Sequence, residues 1–176
     1  MEEKKIGEIM EEKFVKNANK VSRDLKRDLR YFMSICSRRE YCEQDILKKC
    51  LKRKISEKDS AEILSLLKKD KFVDNQRYST SYTRDKTLIT GWGPIKIRYA
   101  LKIKAISDDN INDALDNLDV DDKIRADKRL SDILLRKWKS YRGEENNYIK
   151  KQKLIKFAAN RGYSYSQIKF ILDNLQ

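Results

Sequence analysis

The residues of this chain that could serve as nucleophiles, bases or metal ligands are three cysteines, 28 carboxylates and the lysines; there is no histidine. Without histidine the commonest general base and the Ser-His and Cys-His nucleophile pairs are missing, so only carboxylate or lysine chemistry is left. Cys36, Cys42 and Cys50 cannot complete a disulfide set and, with no histidine, do not reach the usual zinc spacings. Cys42 and Cys50 share a helical face with Ile46, which assigns the cysteines to helix interfaces. There is no G-x-x-x-x-G-K-[ST] loop to cradle phosphates and no paired-acid or nucleophile constellation. Seven aspartates lie between Asp108 and Asp122 with no Lys or Arg among them, but the calcium-loop spacing with its terminal glutamate is absent. Acids favoured in the first turns of helices account for that segment. The expectation is a protein with no catalysis, no metal and no cofactor.

What remains is binding chemistry. Forty-one Lys and Arg against 28 Asp and Glu give a net charge of +13, which calls for a polyanion or an acidic protein surface as partner. The charge is patterned along the chain. Arg38 to Ser56 holds seven basic residues, Arg38 and Arg39 among them, against three acids, and Lys150 to Arg161 holds five against none. The strongest local combination is Lys96, Arg98, Lys102 and Lys104 with Trp92 and Tyr99, because basic groups meet phosphates while aromatic rings stack on bases. Tyr78 and Tyr82, one helical turn apart, read as packing between units instead of a stacking platform.

The elements that must position these residues are helical. The chain has one proline and five glycines, and no stretch alternates with period two for long enough to argue a sheet. Three segments align on a serine: CLKRKISEKDSAEILSLL, ALKIKAISDDNINDALDNL and FAANRGYSYSQIKFILDNL. Counting from Ser56, Ser107 and Ser164, position +7 is Ile63, Ala114 and Ile171, position +8 is Leu64, Leu115 and Leu172, and position +11 is Leu67, Leu118 and Leu175. Each serine is placed to cap a helix, with Asp59, Asn110 or Gln167 three residues on, and Gln167 completes a capping box. Positions +4, +7, +8 and +11 then share one inward face. A helix precedes each serine. In the first unit it opens on a Ser37–Glu40 capping box, with Cys42, Ile46, Leu47, Cys50 and Leu51 on its apolar face. In the second, Gly91-Trp92-Gly93-Pro94 breaks the chain, Pro94 enters the first turn, and Ile97, Ala100 and Leu101 turn inward. In the third, Leu154, Ile155, Phe157 and Ala158 do so. Further helices run from Asp74 through Tyr78 and Tyr82, and from about Asp121 through Ile124, Leu130, Ile133, Leu134 and Trp138. Val21, Leu25, Leu29, Phe32 and Cys36 form a lead helix.

Four stretches, in order and over about Leu29 to Leu175, make the sequence resemble the RecX family of recombinase regulators, which are tandem arrays of three-helix units. SRREYCEQDILKKCL resembles the family's Arg-rich turn into a first helix, and KKDKFVDNQRYSTSYTRDK its loop, acidic cap and Arg-aromatic pair, here Asp74, Arg77 and Tyr78. GWGPIKIRYALKIKAIS resembles the turn and basic helix of its second unit, and FAANRGYSYSQIKFIL its closing unit. Lys54-Ile55 stands where the family usually has glycine. The resemblance implies a non-enzymatic protein that binds the RecA recombinase filament on single-stranded DNA and restrains strand exchange, ATP hydrolysis and SOS co-protease activity. Arg38, Arg39, Arg77, Trp92, Lys96, Arg98, Lys102 and Lys104 are the candidate contacts. The alternative is a basic helical nucleic-acid-binding protein that needs no recombinase; a single helix-turn-helix reader fits less well, because such proteins seldom repeat the unit three times.

The expected fold is all-α, an elongated tandem array of helix-turn-helix-like repeats: a poorly patterned segment at 1–24, a lead helix and first repeat at 25–86, a second repeat at 87–142, and a truncated third at 143–176. No apolar run approaches the ~20 residues that span a bilayer, and the start MEEKKIGEIMEEK has no signal-peptide core; a monomer in the cytoplasm is expected. If each repeat touches mainly its neighbours, small-angle scattering should return a radius of gyration well above the roughly 16 Å of a compact chain this long. A value at that figure would refute the array.

Overall fold

The computed structural model describes residues 24–141 and 146–173, and among them every regular element is helical. The lead helix α1 covers residues 24–36; its expected member Val21 and the segment 1–23 lie outside the described residues. Then follow α2 (Glu43–Lys52), α3 (Glu57–Lys69), α4 (Asn75–Asp85), one π-helical turn (Lys86–Thr90), α5 (Pro94–Ile103), α6 (Asp108–Asp116), α7 (Val120–Ser140), α8 (Asn147–Asn160) and α9 (Tyr165–Asp173). The chain divides after Asp74 into two compact units.

In the first unit Phe32 of α1, Ile46 and Cys50 of α2, and Ile63 and Leu67 of α3 form a core from which water is excluded, closed by Tyr41 and Val73. Burial pushes the Cys50 thiol up, and all three cysteines are unbridged. Asp28 is held at the edge of this core by Arg53, 2.7 Å away, whose guanidinium also lies 4.1 Å from the centre of the Tyr31 ring. Two expectations fail here. Ser37 caps no helix: its hydroxyl donates to the Ser34 carbonyl at 3.0 Å and so closes α1, while Cys42 is the residue that precedes α2. Burial of Tyr41 and Cys42 pulls the loop inward, so the helix begins only at Glu43. Leu47 and Leu51 are exposed, Leu51 at 76%, because the inward stripe runs through Ile46 and Cys50 alone.

The second unit has two nests of apolar side chains. Ile97 and Leu101 of α5 and Ile111 and Ala114 of α6 are buried, and α4 packs against α6 with Ser79 and Thr83 fully covered. Ser79 is small enough for close approach, and its hydroxyl donates to the carbonyls of Gln76, at 2.8 Å, and Asn110, at 3.1 Å. The sequence reading grouped α4 with the helices before it; in the structure it lies in the second unit. Leu130 and Leu134 of α7, Leu154 and Ala158 of α8, and Ile168 and Ile171 of α9 form the other nest around Tyr163, whose phenol burial pushes up to about 12. Asp122, 2% exposed, ties the start of α7 to the end of α4 by accepting from Arg84 Nε at 2.6 Å, and Arg125 lies 3.4 Å away. That helix opens on the cap Asp119, two residues earlier than expected, and Ile124 faces outward at 61% exposure.

The serine repeat is a turn repeat. In each of the three segments the residue two before the serine has positive φ: Lys54 at 59°, Ala105 at 56° and Gly162 at 89°. Its N–H donates to the carbonyl three back, and the next N–H (Ile55, Ile106, Tyr163) donates to the carbonyl five back, the two bonds of a Schellman motif. The apolar residue carrying that second bond turns into the core, and the serine then caps the next helix: Ser56 accepts from Asp59 N–H, Ser107 from Asn110 and Ser164 from Gln167. The Gln167 side chain answers to the Ser164 N–H at 3.0 Å, completing the box. Positions +4 and +7 are buried in all three helices, whereas +8 lies at the edge of the face.

The Gly162 turn has a further job. Gly93 N–H donates to the Arg161 carbonyl at 2.8 Å and Ile95 N–H to the Gly162 carbonyl at 3.1 Å, which docks the start of α5 on the α8–α9 turn. A Cβ on Gly93 would strike the Gly162 carbonyl, and one on Gly162 would strike the backbone and Cβ of Lys96. Gly162→Ala should therefore cost about 3 kcal/mol from positive φ and overlap together, lowering the melting temperature by on the order of 10 °C. Ala105→Gly, at the same place in an open turn, should instead stabilise by about 0.5–1 kcal/mol by relieving the left-handed strain. Calorimetry on the two variants tests both, and equal signs would refute the assignment of the turns.

Candidate functional site

The second unit carries a run of cations alternating with aromatic rings. On α4 the rings of Tyr78 and Tyr82 stack with centroids 5.8 Å apart and planes 26° from parallel, as i and i+4 spacing allows. Lys104, which ends α5, places its ammonium 5.5 Å from the Tyr78 ring. At the other end Lys86 lies 5.3 Å from Tyr82 and 4.9 Å from Trp92, and Lys96 lies 4.6 Å from Trp92. The order Lys104, Tyr78, Tyr82, Lys86, Trp92, Lys96 is one continuous strip drawn from α4, the π turn and α5.

Backbone geometry places the strip. The π turn widens the end of α4, and the Lys86 carbonyl accepts from Trp92 N–H at 3.0 Å and from the Thr90 hydroxyl at 2.6 Å. Gly91 then takes φ of 65°, reversing the chain so that Trp92 returns over Lys86. Pro94 begins α5 as expected. Lys96, pinned beside Gly162, directs its ammonium toward Trp92 and to within 3.5 Å of the Asn160 carbonyl. Along the outer side of α5 run Ile95, Tyr99 and Ile103, each well exposed.

The structure separates the basic residues that the sequence put together. Lys96 and Lys104 join the aromatic strip, whereas Lys102 lies 3.1 Å and Arg98 4.0 Å from the Asp108 carboxylate at the start of α6. Arg77 is exposed on α4. Arg38 and Arg39 belong to the first unit, where Arg38 reaches the Ser34 hydroxyl at 3.3 Å and Arg39 lies 4.4 Å from the Tyr41 ring, which Lys49 also approaches at 5.2 Å. Sequence reasoning missed Lys86. The signal was there, since Lys86 follows Tyr82 by four residues and precedes Trp92 by six, but only the π turn brings both rings to it.

Tyr78 is buried at 7% exposure and serves packing, as expected of it, so the rings only partly covered are those of Tyr82 and Trp92, and ammoniums beside such rings are the groups that can meet phosphates and bases. Among the described residues no group of three or more Cys, Asp or Glu side chains is arranged to hold a metal ion, and no helix is long and apolar enough to cross a membrane.

Comparison with known proteins gives a consistent answer. The family model for the second three-helix domain of RecX matches residues 74–115, which takes in α4 to α6, and that for the third three-helix domain matches 126–172. Together they cover just over half of the chain. Regulatory protein RecX of Clostridium acetobutylicum is 28% identical over 134 residues, 76% of this chain and 61% of that protein. RecX of Leuconostoc mesenteroides is 26% identical over 132 residues, 75% of this chain and 48% of that one, so the chain spans about half to three-fifths of the length of these two relatives. RecX of Actinobacillus pleuropneumoniae serotype 5b is 24% identical, over 82% of this chain and 90% of its own. A crystal structure of regulatory protein RecX superposes with a TM-score of 0.72 at 27% identity, over 89% of this chain and 73% of the other; RecX from Lactobacillus salivarius does so at 0.71 and 21%, over 88% and 97%. The tandem three-helix units, found in the same order as the family's second and third domains, place this chain in the RecX family of regulatory proteins.

Proposed function

We propose that this chain is a regulator of homologous recombination and the SOS response. It binds the RecA filament on single-stranded DNA in the cytoplasm and restrains ATP hydrolysis, strand exchange and co-protease activity, with no catalysis of its own. The observation that carries the reading is the strip from Lys104 to Lys96 in the domain that matches the RecX second three-helix domain. A filament offers phosphates and protein together, and a strip with alternating ammoniums and rings suits such a mixed surface better than a uniformly basic one. Membership of the family favours this reading over a nucleic-acid-binding protein that acts without a recombinase.

The test follows ATP hydrolysis by cognate RecA on single-stranded DNA, with the chain added well below the DNA concentration. Inhibition that persists in excess bare DNA is expected; DNA binding with no effect on the filament would favour the recombinase-independent alternative. Lys86→Glu with Lys96→Glu should weaken inhibition about a hundredfold through like-charge contact. Lys123→Glu with Lys128→Glu, the same charge change on α7, should cost far less. Equal losses would reduce the strip to diffuse attraction. Asp108→Asn provides a second check, because Asp108 competes with any phosphate for Arg98 and Lys102. Removing it should strengthen DNA association and steepen its logarithmic salt dependence by about one unit; an unchanged slope would take Arg98 and Lys102 out of the contact.

A further inference from the structure

The second unit has a cleft of about 420 Å³ beside the Thr90 turn, lined by residues other than those of the aromatic strip: Arg129, Ile133, Arg136 and Lys137 of α7 together with Phe157 and Arg161. Four of its walls are cationic and none is acidic. Two arginines outside the cleft meet carboxylates, Arg53 that of Asp28 and Arg84 that of Asp122. Here the arginines meet neutral groups. Arg129 donates to the Ile89 carbonyl at 3.0 Å, and Arg161 donates to the carbonyls of Thr90 at 2.9 Å and Gly91 at 3.4 Å. Arg136 Nε reaches only the Asp132 backbone carbonyl one turn back, at 3.2 Å. Lys137 and Arg161 flank the Phe157 ring at 5.5 and 5.0 Å. Asp132 lines the adjoining groove, yet no described carboxylate forms an ion pair with any of the four cations. Arg129 and Arg161 each also keep a buried Nε–H with no partner.

Like charges gathered with no described carboxylate paired to them repel one another, and guanidiniums drawn against backbone carbonyls lose part of their hydration. Such a site is completed by an anion. Planar guanidinium forks match phosphate oxygens in pairs, and four cations suit a ligand with two or more negative charges. We infer that this cleft is a phosphate-binding site, separate from the strip, that takes either a free polyphosphate such as the tail of a nucleoside triphosphate or successive phosphates of a nucleic-acid strand.

The experiment needs no recombinase, so its result is independent of the filament reading. Titration calorimetry on the full chain uses inorganic tripolyphosphate in one arm and a short single-stranded oligothymidylate in the other, with sulfate of equal ionic strength as reference. The variant is Arg136→Gln with Lys137→Gln, since neither side chain holds the Ile89–Gly91 turn. Stoichiometric tripolyphosphate binding that falls at least tenfold in the variant identifies a free-polyphosphate site. A tenfold fall confined to the oligonucleotide identifies a strand-phosphate site. Unchanged binding in both arms, or an equal fall from Lys123→Gln with Lys128→Gln on the same helix, would overturn the proposal, and so would sulfate binding as tightly as tripolyphosphate.

Discussion

Two backbone hydrogen bonds, from Gly93 to the Arg161 carbonyl and from Ile95 to the Gly162 carbonyl, are the constraint on which the second unit depends. They join segments nearly seventy residues apart at a distance that leaves no room for a Cβ on either glycine. Because the chain is docked there, Lys96 lies beside Trp92 and Arg161 lies beneath the Thr90 turn. The aromatic strip and the cationic cleft therefore have a common foundation. A shift of the α8–α9 turn would move both, although they are built from different helices and offer different chemistry.

The helices were legible in the sequence where a local rule decides them. The serines at Ser56, Ser107 and Ser164 cap as their side chains require, Pro94 opens its helix, and the +4 and +7 positions are buried because a 3.6-residue period leaves them no other face. The turns before the serines were only half legible. Gly162 advertises positive φ, but Lys54 and Ala105 take the same conformation with nothing in their side chains to say so. There the Schellman bonds and the burial of Ile106, with Ile55 packed at the edge, outweigh a local preference of about 1–2 kcal/mol. The Ser37–Glu40 motif failed for the opposite reason. It satisfies the capping rule, yet covering Tyr41 and Cys42 stabilises the fold by more than the ~1 kcal/mol that a cap contributes.

The candidate site was less legible than the fold, because contacts across a turn decide it. Trp92 and Lys96 could be named from composition and nearness in the chain. Lys86 could not, since on a continuing α-helix it would share a face with Tyr82 and point away from Trp92; five residues of π-helix and the left-handed Gly91 close that gap. Arg98 and Lys102 show the converse error. Their spacing suggested one basic surface with Lys96, yet they lie on the side of α5 that faces the start of α6, where Asp108 meets them.

Charge bookkeeping along the chain explains why the acids of residues 108–122 matter more than their dipole role suggests. Asp108 meets Lys102 and Arg98, Asp122 meets Arg84 and Arg125, and Asp119 spends its carboxylate on the Asp122 N–H. The acidic segment thus neutralises basic residues that lie close to it in space. Lys86 and Lys96 lie over the Tyr82 and Trp92 rings, and four further cations line the cleft beside Phe157. In the second unit the positive charge is concentrated where rings or carbonyls hold it and no described carboxylate pairs with Arg129, Arg136, Lys137 or Arg161. A polyanion held at the proposed strip and cleft would respond mainly to these local charges, because exposed charges more than about 8 Å away are largely screened at physiological salt. On the proposed reading, the position of the acids, as much as that of the lysines and arginines, determines where a phosphate-bearing partner would be held.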